Sequence, residues 1–173
     1  MSTIKRHMYG IISDTHSHVD LEAWREAFQG ADAIFHAGDI GSQEVLDALQ
    51  EIAPTIAVKG NIDGGDLRFL PEVYTEKLHG KKIAMIHIAG SPKRPNKNVR
   101  RILVHEQPDV LIVGHSHIFT VQRVDHGCLW LNPGAAGRHG FHTERLAMRL
   151  FIEPVRGGLD LERVSFGPRV LVP

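Results

Sequence analysis

The stretch IISDTHSHVD, residues 11–20, sets three potential metal ligands, Asp14, His16 and His18, directly behind an apolar run, with Asp20 as a fourth donor. Comparable groups recur downstream: Asp39 in HAGD, Asn61 and Asp63 in GNID, His87 in IAMIH, and His115 and His117 in GHSH. Mixed imidazole and oxygen donors suit manganese, iron, zinc, nickel or cobalt. Alternate residues on an extended segment point the same way, so Asp14/His16 and His115/His117 can each act as a pair, although a turn could split either pair between neighbouring metals. Gly38, Gly60 and Gly114 stand immediately before Asp39, Asn61 and His115, where they permit a tight or left-handed backbone and close approach to a site.

These groups depend on the elements that carry them. MYGIIS (8–13) predicts a buried strand, followed by a helix with Asp20 as its N-cap. Leu21, Trp24 and Phe28 recur there at helical spacing, and Gly30 stops the run. DAIFHAG (32–38) predicts a second strand, and a helix from about Ser42 turns Val45, Leu46, Leu49 and Ile52 to one face. TIAVKG (55–60) predicts a third strand, and this βαβαβ rhythm predicts parallel pairing beneath covering helices. After Pro71, residues 73–88 predict two strands joined at HGKK, and 97–107 predict a helix burying Val99, Ile102 and Leu103. DVLIVG (109–114) predicts another buried strand, and residues from 118 predict a hairpin turning at Asp125–Gly127, with ERLAMRLFIEPV and LDLERVSFG as later strands. The expected fold is α/β: two packed mixed β-sheets flanked by helices, a four-layer α/β/β/α sandwich, in one domain over 1–173. The candidate donors follow five of the strands, and groups at the carboxyl ends of strands in open α/β sheets converge.

Composition narrows the class. The 173 residues fit one ordinary core. A single cysteine, Cys128, excludes an intramolecular disulfide and a thiolate metal cluster. The start MSTIKRHMYG lacks the long apolar segment of a secretory signal, and runs such as VLIV (110–113) are too short to cross a bilayer. A soluble, cytoplasmic protein without membrane contact is expected. Lysine plus arginine and aspartate plus glutamate each number 20, so no global basic field argues for nucleic acid. The locally basic KRPNKNVRR (93–101) reads first as a solvated loop and helix face. Strands near the C-terminus leave homo-oligomer pairing open.

Taken in order, Asp14-Thr15-His16, Gly38-Asp39, Gly60-Asn61-Ile62-Asp63, His87 and Gly114-His115-Ser116-His117 resemble the pattern D-x-H, G-D, G-N-x-D/E, lone His, G-H-x-H. That pattern belongs to the calcineurin-like metallophosphoesterases, in their small bacterial and archaeal phosphodiesterase branch. NPGAA (132–136) is similar to the N-P-G-S that follows in small members, so the resemblance spans about residues 8–140. It implies a dinuclear centre of two divalent ions, manganese by resemblance. One ion would be held by Asp14, His16 and His117, the other by Asn61, His87 and His115, with Asp39 bridging both. It further implies a phosphodiesterase acting on a small-molecule phosphoester through a metal-bridging hydroxide, with Asp39, His115 and His117 as catalytic residues. A phosphomonoesterase or protein phosphatase, and an interaction scaffold that keeps the fold without catalysis, as a retromer subunit of similar fold does, are the alternatives.

Several residues stand outside this set. Asp63 is read as orienting a ligand or the Asn61 loop or as capping the DGGD turn, His36 as a hydrogen-bond partner of a ligand or a satisfied buried histidine, and His18 as a rim residue that either contacts substrate or has no role. THSHVD also matches most of the H-x-H-x-D-H signature of metallo-β-lactamases, but Leu21 stands where the last histidine belongs. Arg138, His139 and His142 are read as outside the site. Two departures from the family pattern matter. Ile62 stands where many members place a histidine that protonates the leaving group, which predicts a preference for acidic leaving groups or a substitute donor such as His18. Ile88 stands where many members place glycine, which predicts a reshaped mouth beside His87.

Overall fold

Continuous apolar runs mark strands covered on both faces, and the computed structural model, which describes residues 6–155 and 157–170, shows what covers them. In chain order the first half runs β1 (His7–Ile12), α1 (Leu21–Phe28), β2 (Ala33–His36), α2 (Gln43–Gln50), β3 (Thr55–Ala57), β4 (Val73–Leu78) and β5 (Lys81–Ile86). The second half runs β6 (Gly90–Ser91), β7 (Arg94–Pro95), α3 (Lys97–His105), β8 (Val110–Ile112), β9 (Thr120–Arg123), β10 (Leu129–Asn132), β11 (Glu144–Ile152) and β12 (Leu159–Pro168). Short 3-10 turns occupy Gly65–Phe69 and Asp125–Gly127. The predicted strands and helices are all present, while the ribbon β6–β7 was not foreseen because its two-residue strands carry no periodicity.

Two five-stranded sheets form, in the orders β12-β11-β1-β2-β3 and β4-β5-β8-β10-β9. The first three strands pair in parallel, and β11 and β12 join antiparallel, so the first sheet is mixed. In the second, β5, β8 and β10 are parallel and β4 and β9 are antiparallel edges.

The period-two alternation of each strand divides its side chains between two cores. Phe35 of β2, Ile83 and Met85 of β5, Ile112 of β8 and Leu131 of β10 meet between the sheets. Their neighbours turn outward: Ile34 packs under α1 and α2 with Trp24, Phe28, Val45 and Leu49. Leu111 and Trp130 pack under α3 with Val99, Ile102 and Leu103. The four-layer α/β/β/α sandwich follows, and the carboxyl ends of β1, β2, β3, β5 and β8 all lead into loops that carry candidate ligands.

Candidate metal centre

The loops beyond these strands are held in unusual backbone states. Asp14, His16, Asp39, His115 and His117 all have positive φ, between 45° and 67°. Left-handed non-glycine residues cost roughly 1–3 kcal/mol each and gather where surrounding structure and function demand them. GHSH is therefore not extended, and the His115/His117 pair is split: Asp14, His16 and His117 form one cluster of donor atoms, and Asp39, His87 and His115 form another. Crowding explains the glycines. A Cβ on Gly60 would stand 2.0 Å from the Asp39 backbone nitrogen, and one on Gly114 would stand 2.2 Å from Ser13 Oγ.

Asp39 lies between the clusters. Its Oδ1 is 3.1 Å from His87 Nε2, and its Oδ2 is 3.6 Å from His16 Nε2. Asp14 Oδ1 faces His117 Nε2 at 3.2 Å. Asn61 joins the second cluster through Oδ1, at 3.1 Å from His87 Nε2 and 2.9 Å from His115 Nδ1.

The donor set fits cations. Among the described residues, Asp14 Oδ1 and His16 Nε2 are buried atoms without a hydrogen-bond partner, a state that costs free energy unless something positive meets them. Burial lowers the His16 pKa, against the pull of Asp39 and Asp14, so its lone pair is available. His87 Nδ1 lies 2.7 Å from the Ala37 carbonyl oxygen and donates to it. Its Nε2 thus turns a lone pair toward two oxygen acceptors, an arrangement that needs a proton or a metal at its centre. Burial disfavours that proton, yet the Asp39 hydrogen bond and the nearby Asp14 charge outweigh it, and the His87 pKa is raised. Burial raises the Asp39 pKa, but the His87 hydrogen bond and charge, the Ile62 N–H and the His16 charge together outweigh it and hold the carboxyl below the usual range.

A second set of residues holds the loops. Asp63, buried, accepts from Gly41 N at 2.9 Å and Gly60 N at 2.8 Å, tying the loop after β2 to the loop after β3. Ile62 N, in the latter loop, donates to Asp39 Oδ1 at 3.1 Å. Ser13 Oγ and His115 N both donate to Asp14 Oδ2, at 2.7 and 3.1 Å. His36 is fully buried, and burial lowers its pKa to about 3. Its Nδ1 accepts from Gly38 N at 3.2 Å while Nε2 donates to Thr15 Oγ1 at 3.0 Å, whose hydroxyl donates to Ile40 O. His36 is thus a satisfied core histidine bracing both loops, its two ring nitrogens taken by Gly38 N and Thr15 Oγ1.

Three readings need correction. His18 is absent from the cavity lining, and its Nε2 accepts from Arg145 Nη1 at 3.1 Å, so that nitrogen carries no proton for a leaving group. Asp20 occupies the N-cap position of α1, but its carboxylate turns to Arg145 Nη1 at 2.8 Å instead of capping. A buried guanidinium, Arg145, claims both, and nothing local in THSHVD signals a partner so far along the chain. His139 and His142, read as outside, line the same cavity of about 510 Å³ as His16, Asp39 and His117. The His139 ring lies 4.8 Å from that of His16, and the His142 ring 5.2 Å from that of His117. Their place after N-P-G was the available signal. Arg138 does stay out, donating to Arg169 O at 2.6 Å. Ile88 lies beside a second cavity of about 370 Å³, which also takes in Lys59, Asn61, His87 and Asn98, and His87 keeps its place in the cluster.

Strand-tip loops around two adjoining donor clusters, on a sandwich of two mixed sheets, define a metallophosphoesterase-like architecture. The chain belongs to the calcineurin-like phosphoesterase superfamily, whose domain model matches residues 8–153. A protein of Methanocaldococcus jannaschii described as a probable metallophosphoesterase is 35% identical over 133 residues, which is 74% of this chain and 67% of that one. Its counterpart in Methanothermobacter thermautotrophicus is 32% identical over 133 residues, covering 74% and 76%. The fold is shared with vacuolar protein sorting 29 from Cryptosporidium parvum, at a TM-score of 0.72 and 19% identity over 94% of this chain and 98% of that one. Among the described residues, no helix is long and apolar enough to cross a membrane.

Proposed function

We propose that the protein is a dinuclear metal-dependent phosphodiesterase. The observation that carries this reading is Asp39, whose two carboxylate oxygens each face a different donor cluster. One ion would rest on Asp14, His16 and His117, the other on Asn61, His87 and His115, with Asp39 between them. Two divalent cations held there would acidify a shared water and neutralise charge developing on a phosphoryl group. Manganese is the favoured ion, with iron, zinc, nickel and cobalt compatible with the donors.

The chain's own residues supply positioning. Asp14 and Asp39 return two negative charges, which leaves a positive surplus for an anionic phosphoester. His87 is held in one tautomer by Ala37 O, so its Nε2 is the ligating atom. His115 turns Nδ1 to Asn61 Oδ1 and is exposed on the cavity, so with that nitrogen on an ion its Nε2–H would be free to donate to a phosphate oxygen. The two cavities that meet at Asn61 support a diester, which has an organic arm on each side of phosphorus. Cys128 is buried, and burial pushes its thiol up to about 12, an inert cysteine compatible with a reducing, cytoplasmic setting.

Initial rates with aryl phosphate diesters and monoesters, measured on manganese-loaded protein, test the proposal. Faster diester turnover is expected. A preference for monoesters would establish the phosphomonoesterase reading instead, and bound metal without turnover of any ester would establish the scaffold.

A further inference from the structure

We infer that Ile62, Ile118 and Phe141 form an apolar subsite that receives an aromatic substituent of the phosphoester. This inference rests on the proposed phosphoester chemistry and names the class of substrate that the same site prefers.

All three residues border the cavity of about 510 Å³ that also reaches Asp39, His16 and His117. They are 45%, 65% and 103% exposed, respectively. Three large apolar groups left in water around one polar centre are a surface that a ligand can cover with gain. Their attachment is close to the chemistry: Ile62 follows Asn61, and Ile118 follows His117. Phe141 follows Gly140, whose φ is +120° and where an added Cβ would stand 2.4 Å from His117 Nδ1. The backbone that carries Phe141 is thus seated against a candidate ligand, which sets Phe141 at the mouth of the cavity that holds the donor clusters.

The shape of the apolar set favours a ring over a chain. A phenyl face offers offset or edge-on stacking beyond simple area burial, and two branched aliphatic side chains bound the remaining space. A phenyl ester and a nucleobase share this chemistry. A methyl or other small alkyl ester would leave the subsite wet.

Calorimetric titration of manganese-loaded protein with phenylphosphonate and with methylphosphonate, neither of which can be hydrolysed, reads the subsite without turnover. The wild type should bind phenylphosphonate about tenfold more tightly, the scale of one stacked and buried ring. Phe141→Ala should lower that ratio to about twofold, with circular dichroism verifying that the variant is folded. Phe69→Ala, at an exposed phenylalanine outside this cavity, should keep the wild-type ratio. Equal affinities in the wild type, or an unchanged ratio in Phe141→Ala, would overturn the subsite. Selective phenylphosphonate binding without hydrolysis of any ester would uphold the subsite and sink only the phosphodiesterase reading. Diester hydrolysis with no phosphonate selectivity would do the reverse, and failure to bind either phosphonate would likewise overturn the subsite.

Discussion

Asp63→Asn changes one oxygen of a buried carboxylate into an amide nitrogen, and the structure sets what this costs. Asp63 accepts from Gly41 N at 2.9 Å and from Gly60 N at 2.8 Å, and it is 8% exposed. A hydrogen bond to a charged group contributes about 1.5–3 kcal/mol, and a buried donor left unsatisfied costs a similar amount. Asparagine can keep one of the two bonds and turns an N–H toward the other backbone N–H. A net loss of about 2–3 kcal/mol is expected. The same change loosens the loop whose Ile62 N holds Asp39 Oδ1, so both donor clusters lose definition. Supporting partners of metal ligands typically control affinity by about 10–100-fold, and manganese affinity should fall within that range. Urea denaturation of the metal-free protein and calorimetric manganese titration measure the two effects separately. Stability within about 0.5 kcal/mol of wild type, together with wild-type metal affinity, would refute the bracing role of Asp63.

Asp39→Asn should lower diester turnover by at least about a hundredfold, the upper end of what a supporting partner of a metal site costs, because Asp39 faces both clusters. Turnover near the wild-type rate would discredit the bridging role. His36 responds to pH: its pKa is about 3 in the folded protein against about 6.5 for an unperturbed histidine. Between these values the unfolded chain binds more protons, so stability should fall as pH drops below about 6.5, by up to roughly 1.4 kcal/mol per unit from this group. Metal-free urea midpoints from pH 7 to 5 should show a shallower slope in His36→Gln than in wild type; equal slopes would remove His36 as the cause. With Ile62 in the loop and His18 committed to Arg145, rates across aryl diesters should fall steeply as the leaving-group pKa rises. A flat series extending to alkyl esters would show that a proton donor is present after all.

Much of this was legible in the chain because local pattern and global fold agree. Runs such as AIF (33–35) and IAMI (83–86) are apolar at successive positions, and each proved to lie in a strand with one face in the inter-sheet core and the other under a helix. The donors following those runs converged because parallel strands end on the same side. What escaped notice depends on long-range pairing or on loop conformation. Arg145, far from THSHVD in sequence, takes both His18 and Asp20. The split of His115 from His117, which spacing alone left open and the family resemblance implied, follows from their left-handed backbone. Asp63 could be either brace or turn cap until Gly41 and Gly60 were seen on its two oxygens. His139, Phe141 and His142 sit on an irregular loop whose path over His117 no periodicity encodes.

The central claim is tested most directly by anomalous diffraction from crystals grown with manganese. Two peaks about 3.5–4 Å apart are expected, one beside Asp14, His16 and His117 and the other beside Asn61, His87 and His115, with the Asp39 carboxylate touching both. A single peak, or two peaks that Asp39 does not join, would contradict the account.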